Sequence, residues 1–96
     1  MSPDPSDSEQ FTIVLSPGAR RALTDALPSG AAFAAWEFIS GPLASRPRAV
    51  GVALRHPFEG LWRARRGEYR IRYRIDEANH RIIVLDIDHR RDAYRP

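Results

Sequence analysis

The sequence predicts an α+β fold of order β-α-α-β-β-β, with two helices packed on one face of a small, mainly antiparallel four-stranded sheet. Three observations predict it. Residues 61–73 (LWRARRGEYRIRY) alternate apolar and cationic side chains on both sides of a glycine, the pattern of a hairpin with one buried face. Residues 82–88 (IIVLDID) supply a further β-branched run. Between residues 17 and 40, apolar residues recur at helical rather than alternating spacing.

The elements follow in order. Residues 1–10 (MSPDPSDSEQ) hold Pro, Ser and acids with no apolar periodicity and are expected to be a disordered lead-in; residues 11–96 are expected to form a single domain. Phe11 to Leu15 reads as the first strand. Ser16-Pro17 opens a helix, with Ser as N-cap and Pro at the first helical position. Ala19, Ala22, Leu23, Ala26 and Leu27 line its apolar face until Pro28 stops it. Ser29 caps a second helix over 31–40, whose apolar residues are too many for one narrow stripe, so this helix is expected to be the more deeply buried. Gly41-Pro42 ends or kinks it, and residues 45–54 read as a connector that carries Arg46 and Arg48 over the sheet.

Register decides which side chains meet. A two-residue turn at Arg66-Gly67 sets Arg65 opposite Glu68, Arg63 opposite Arg70, Ala64 opposite Tyr69 and Trp62 opposite Ile71. A three-residue loop at Ala78-Asn79-His80 sets Tyr73 opposite Leu85, Ile71 opposite Ile87, Arg72 opposite Asp86 and Arg70 opposite Asp88. Arg63, Arg65, Arg70, Arg72, Arg74 and Arg90 then share one face, and Trp62, Tyr69, Ile71, Tyr73 and Leu85 share the other. Like charges facing each other across strands destabilise a sheet, a cost that a bound anion relieves. A solvated basic face screened by Asp86 and Asp88 is the plainer alternative.

Charge distribution points the same way. Residues 1–45 carry two arginines against five acids, net −3, whereas residues 46–96 carry thirteen against seven, net +6. The basic charge therefore belongs to the sheet and suits a polyanion or an acidic protein segment. All fifteen basic residues are arginine, which grips phosphate in bidentate fashion and cannot act as a proton base near neutral pH. With no cysteine, thiolate chemistry is excluded, and no His/Cys/Asp/Glu spacing resembles a metal site. No apolar run approaches a membrane span and no basic-then-apolar leader is present, so the expected location is cytoplasmic. Side chains able to accept a proton near the basic face are His89, Tyr94, Glu68 and Asp88.

The run 54–73 contains W-x-x-R-x-G-x-Y-R-x-x-Y, from Trp62 to Tyr73, and is followed by H-R-x-x-x-Y from His89 to Tyr94. These motifs, in this order of elements, resemble the RelE branch of the RelE/ParE toxin superfamily over roughly residues 11–96. The resemblance implies a type II toxin that cleaves messenger RNA in the ribosomal A site without a metal or other cofactor, through attack of the ribose 2′-hydroxyl on the adjacent phosphorus. It also implies a cognate, RelB-like antitoxin presenting an acidic and apolar segment. By position, Arg70 corresponds to the arginine that neutralises the phosphorane, Arg63 to a commonly basic position, Arg90 to a second phosphate ligand, and Tyr94 to a stacking or proton-handling tyrosine. His89 joins this candidate catalytic set, with Arg46, Arg48, Arg55, Arg65 and Arg72 as candidate RNA contacts. Val52 and His56 depart from relatives, which often place a lysine or glutamate and a glycine there. The same fold also serves ParE-like toxins that poison DNA gyrase without catalysis.

Overall fold

Ser16 joins the first strand to the first helix and ties both to the last strand, the first strand's neighbour in the sheet. In the computed structural model, which describes residues 10–89, its Oγ accepts from the Ala19 backbone N–H at 3.0 Å as an N-cap and donates to the Leu85 carbonyl at 2.6 Å. Its backbone N–H donates to the Val84 carbonyl at 2.9 Å. One side chain thus opens a helix and satisfies a carbonyl where the sheet is irregular.

The elements are β1 (Thr12–Leu15), α1 (Pro17–Arg21), α2 (Ser29–Phe38), α3 (Pro47–Val50), β2 (Gly51–Ala53), β3 (Trp62–Arg66), β4 (Tyr69–Asp76) and β5 (Arg81–His89). The sheet order is β1-β5-β4-β3-β2, with β1 parallel to β5 and every other pair antiparallel. The α+β class and the helical layer on one sheet face match the expectation, but among the described residues there are five strands rather than four, and a short third helix, α3, precedes the extra strand. The extra strand, β2, lies inside the expected connector. Three residues beginning with glycine are too short to show alternation.

Both long helices widen at their C-terminal ends. α1 runs on through a π-helical turn over Ala22–Ala26, closed by the Leu27 N–H on the Ala22 carbonyl at 3.0 Å, and α2 through another over Ile39–Leu43. Pro42, which has no N–H to give, sits inside the second turn. The chain therefore passes through Gly41-Pro42 in helical form. α2 starts one residue earlier than its cap reading implies: Pro28 holds the N-cap position, Ser29 is already helical, and no side chain caps this end.

Ala19, Ala22 and Leu27 from the first helical segment join Ala35, Phe38, Ile39 and Leu43 from the second against Ala64, Tyr69, Ile71, Tyr73, Ile82, Val84 and Ile87 of the sheet. α2 is less buried than its composition suggests, because Phe33 and Trp36 face outward and line an apolar groove of about 400 Å³ with Leu15, Leu23 and Ala32. Tyr73 is fully buried and donates its hydroxyl to the Pro47 carbonyl at 2.6 Å, which ties α3 to the sheet. Burial pushes its pKa up to about 12, so the donating proton stays in place.

Two register details differ from expectation. The β3–β4 turn is Gly67-Glu68, so Arg66 faces Tyr69, Arg65 faces Arg70, Ala64 faces Ile71, Arg63 faces Arg72 and Trp62 faces Tyr73. Gly67 has φ +60 at the first central position, as a type II′ hairpin turn requires. Between β4 and β5 the pairs Arg70–Asp88, Ile71–Ile87 and Arg72–Asp86 stand as expected, but Tyr73 faces Val84, because the register shifts by one residue there. Leu85 is the additional residue of this bulge, and its carbonyl is the one Ser16 satisfies.

Candidate functional site

On the sheet face away from the helices, side chains line up in two rows across the strands. Val52, Arg63, Arg72 and Asp86 form one; Arg65, Arg70 and Asp88 form the other. Arginine therefore stands directly opposite arginine twice. Each like-charge pair costs up to about 1 kcal/mol. Among the described residues, Arg72 is the one of these four that is compensated, by a two-point contact with Asp86: Nη2 to Oδ2 at 2.6 Å and Nε to Oδ1 at 3.0 Å. An exposed pair of this kind contributes about 0–1 kcal/mol, which does not offset two repulsions. Its hydrogen bond to Asp86 also raises the Arg72 pKa above the ordinary guanidinium value, so this cation is permanent.

Among the described residues, no carboxylate pairs with Arg63, Arg65 or Arg70. Arg63, Arg70, Arg72 and Asp88 line a cleft of about 310 Å³, completed by Leu54 and Phe58. Arg70 is half-buried at the centre of the sheet, while Arg63, Arg65 and Arg72 are exposed. The cleft thus sets guanidinium donors, which bind phosphate in bidentate fashion, around an open volume.

Other candidate residues lie elsewhere. His89 ends β5 opposite Tyr69, 8% exposed, on the helix-facing side with Ile87, and its Nε2 is 3.7 Å from Glu68 Oε2. The strand does not break at Asp88, so His89 stays out of the cleft. Arg46 and Arg48 do not overhang the basic face: with Phe11, Pro47, Glu77 and His80 they line a separate cleft of about 480 Å³, where Arg48 pairs with Glu77 at 2.8 Å. Docking of Pro47 on Tyr73 directs α3 to that end of the sheet. Arg55 is exposed in the β2–β3 loop. Arg90 and Tyr94 lie outside the described residues, as do residues 1–9 of the expected lead-in.

Sequence reasoning missed the apolar wall of the cleft. Phe58, 50% exposed, forms that wall with Leu54 beside the arginines, while Val52, 55% exposed, stands opposite Arg63 on β2 outside the cleft lining. An apolar residue in a short segment normally reads as core, so composition carries no signal for this placement. Among the described residues there is no cluster of metal-ligating side chains, and no helix is long and apolar enough to cross a membrane.

The sequence profile described as ParE toxin of type II toxin-antitoxin system, parDE, matches residues 13–94. The chain belongs to this toxin family, within the RelE/ParE superfamily. The toxin is 40% identical to toxin RelE of Mycobacterium tuberculosis over 90 residues, covering 94% of this chain and 92% of the relative. It is 41% identical to toxin RelG of the same organism over 85 residues, 88% of this chain and 97% of the relative. Among solved structures, the crystal structure of the toxin-antitoxin complex RelBE2 from Mycobacterium tuberculosis matches with a TM-score of 0.81 at 40% identity, covering 84% of this toxin and 99% of that chain.

Proposed function

We propose that this type II toxin is a ribosome-dependent, metal-independent endonuclease that cleaves messenger RNA in the A site. The observation that carries the reading is the cleft in which Arg63 and Arg70, each facing another arginine, have no carboxylate partner among the described residues. In the proposed step the ribose 2′-oxygen loses its proton and bonds to phosphorus, the bond from phosphorus to the 5′-oxygen breaks, and that oxygen takes a proton. Negative charge grows on the phosphorane oxygens. Arg70 meets it from the half-buried centre of the cleft, and Arg63 and Arg65 hold flanking phosphates. Arg90 and Tyr94 complete the proposed set. Of the possible proton acceptors among the described residues, Asp88 lines the cleft, whereas Glu68 sits on the hairpin turn beside His89. Catalysis then rests chiefly on charge stabilisation and on ordering the messenger for in-line attack.

The likeness to a crystallised RelBE2 complex supports a RelB-like antitoxin as partner, with acidic and apolar residues that cover the arginine face. The ParE profile match favours one second reading, a non-catalytic poison of DNA gyrase. Assays in parallel separate the two: the nuclease reading predicts cut messenger on programmed ribosomes and unaffected gyrase supercoiling, whereas intact messenger with inhibited supercoiling establishes the rival.

Because His89 faces the helices, His89→Gln should leave the shape of the single-turnover pH–rate profile unchanged. Loss of a rising limb near neutrality in that variant, with the fold intact by circular dichroism, would make His89 the proton acceptor instead.

A further inference from the structure

The loop between β2 and β3 holds Phe58 by its backbone on both sides. Its N–H donates to the Arg55 carbonyl at 2.8 Å, and its own carbonyl accepts from the Leu61 N–H at 3.0 Å. The second of these turns contains Gly60 at φ +89, which suits a type II turn with glycine in third position. At the neck of the loop, the Leu54 N–H donates to the Leu61 carbonyl at 2.9 Å, and His56 Nδ1 lies 2.7 Å from Glu59 Oε1 across the tip. Phe58 is therefore fixed in position with half its surface open to solvent.

A ring held in that state beside Arg63, Arg70 and Arg72 forms one wall of a basic cleft. Basic grooves that track a nucleic-acid backbone gain much of their salt-independent affinity from aromatic rings on which bases stack. Phosphate at the arginines puts an attached base within the same cleft, on the side where Leu54 and Phe58 supply the apolar lining. We propose that Phe58 is the stacking platform for a nucleobase attached to the flanking phosphate held by Arg63, next to the reacting phosphate at Arg70. The inference rests on the RNA-cleaving reading above and adds to it a base-binding subsite that tolerates any base, since every base has a π-face.

The test uses full-length toxin and ribosomes programmed with a messenger 2′-O-methylated through the A-site codon, so that binding is measured without cleavage. Phe58→Ala should weaken binding by about 5- to 150-fold, the effect expected for one stacked base, while Phe58→Trp keeps wild-type affinity. The dependence of affinity on salt should run parallel for Phe58→Ala and wild type, whereas Arg63→Ala should flatten it, because only the arginine releases counterions. If wild type cuts unmethylated messenger on the same ribosomes and Phe58→Ala binds as tightly as wild type, the stacking subsite is overturned and the nuclease reading stands. Failure of wild type to cut overturns both. A Phe58→Ala variant with unchanged ribosome affinity but weakened grip by the antitoxin assigns the ring to the protein partner and overturns the proposal, as does a flattened salt dependence in that variant.

Discussion

Arg70→Ala should lower the single-turnover rate of messenger cleavage on programmed ribosomes by about 100- to 1,000-fold, with little change in binding. The reason lies in its place on β4. Arg70 stands between Arg65 and Asp88 in the register, is half-buried, and has no carboxylate bonded to it among the described residues. Its charge is thus available to the phosphorane of the proposed reaction and is less screened than that of its exposed neighbours. Losing one pre-positioned donor to a developing oxyanion typically costs about 2.7–4 kcal/mol, which sets the expected range. Arg21→Ala, which removes an equal charge from α1, should cut at the wild-type rate. Equal rates for Arg70→Ala and wild type, both folded, would remove Arg70 from the chemistry.

Gly51→Ala should destabilise the fold by about 1–3 kcal/mol, the usual cost of forcing a methyl into a filled site. A Cβ there would lie 2.0 Å from the Tyr73 Oη and 2.9 Å from the Arg63 carbonyl. Tyr73 has nowhere to retreat, because its ring is fully buried and its hydroxyl is bonded to Pro47. The methyl must therefore push β2 from β3 or break the Tyr73–Pro47 hydrogen bond. Tyr73→Phe removes the closest clashing atom, so the double variant should lose less than the sum of the single variants, as read by urea denaturation. Additive losses would show that the clash is relieved elsewhere. Since β2 carries Val52 to the edge of Arg63, the same variant should also lower ribosome affinity.

What could be read beforehand and what could not divides along physical lines. Alternation of apolar and cationic residues determines which face a side chain takes, so residues 61–73 alone set Arg63, Arg65, Arg70 and Arg72 on one face. It is blind to a slip of two residues, because such a slip keeps every side chain on its own face. Turns at Arg66-Gly67 and at Gly67-Glu68 therefore fit the pattern equally, and only the positive φ at the first turn position separates them. The bulge at Leu85 was hidden because Ile82 to Leu85 is apolar throughout, which leaves no polar residue to mark where inside becomes outside. The position of Arg46 and Arg48 is hidden in the sequence for a different reason: the tie from Tyr73 to Pro47 spans 26 residues, a tertiary contact that no local pattern encodes. Phe58 had no signal of its own, since its exposure is set by two turns in a loop rather than by periodicity.

In the proposed reaction, guanidinium groups on the sheet with no carboxylate partner among the described residues stabilise a phosphorane formed by the messenger's own 2′-hydroxyl. Mapping the ends of messenger cut on programmed ribosomes, with and without EDTA, tests it most directly. Cleavage should be confined to the A-site codon and unaffected by EDTA, with a 5′-hydroxyl on the downstream fragment and a 2′,3′-cyclic or 3′-phosphate on the upstream one. A downstream 5′-phosphate, or cleavage abolished by chelation, would contradict it.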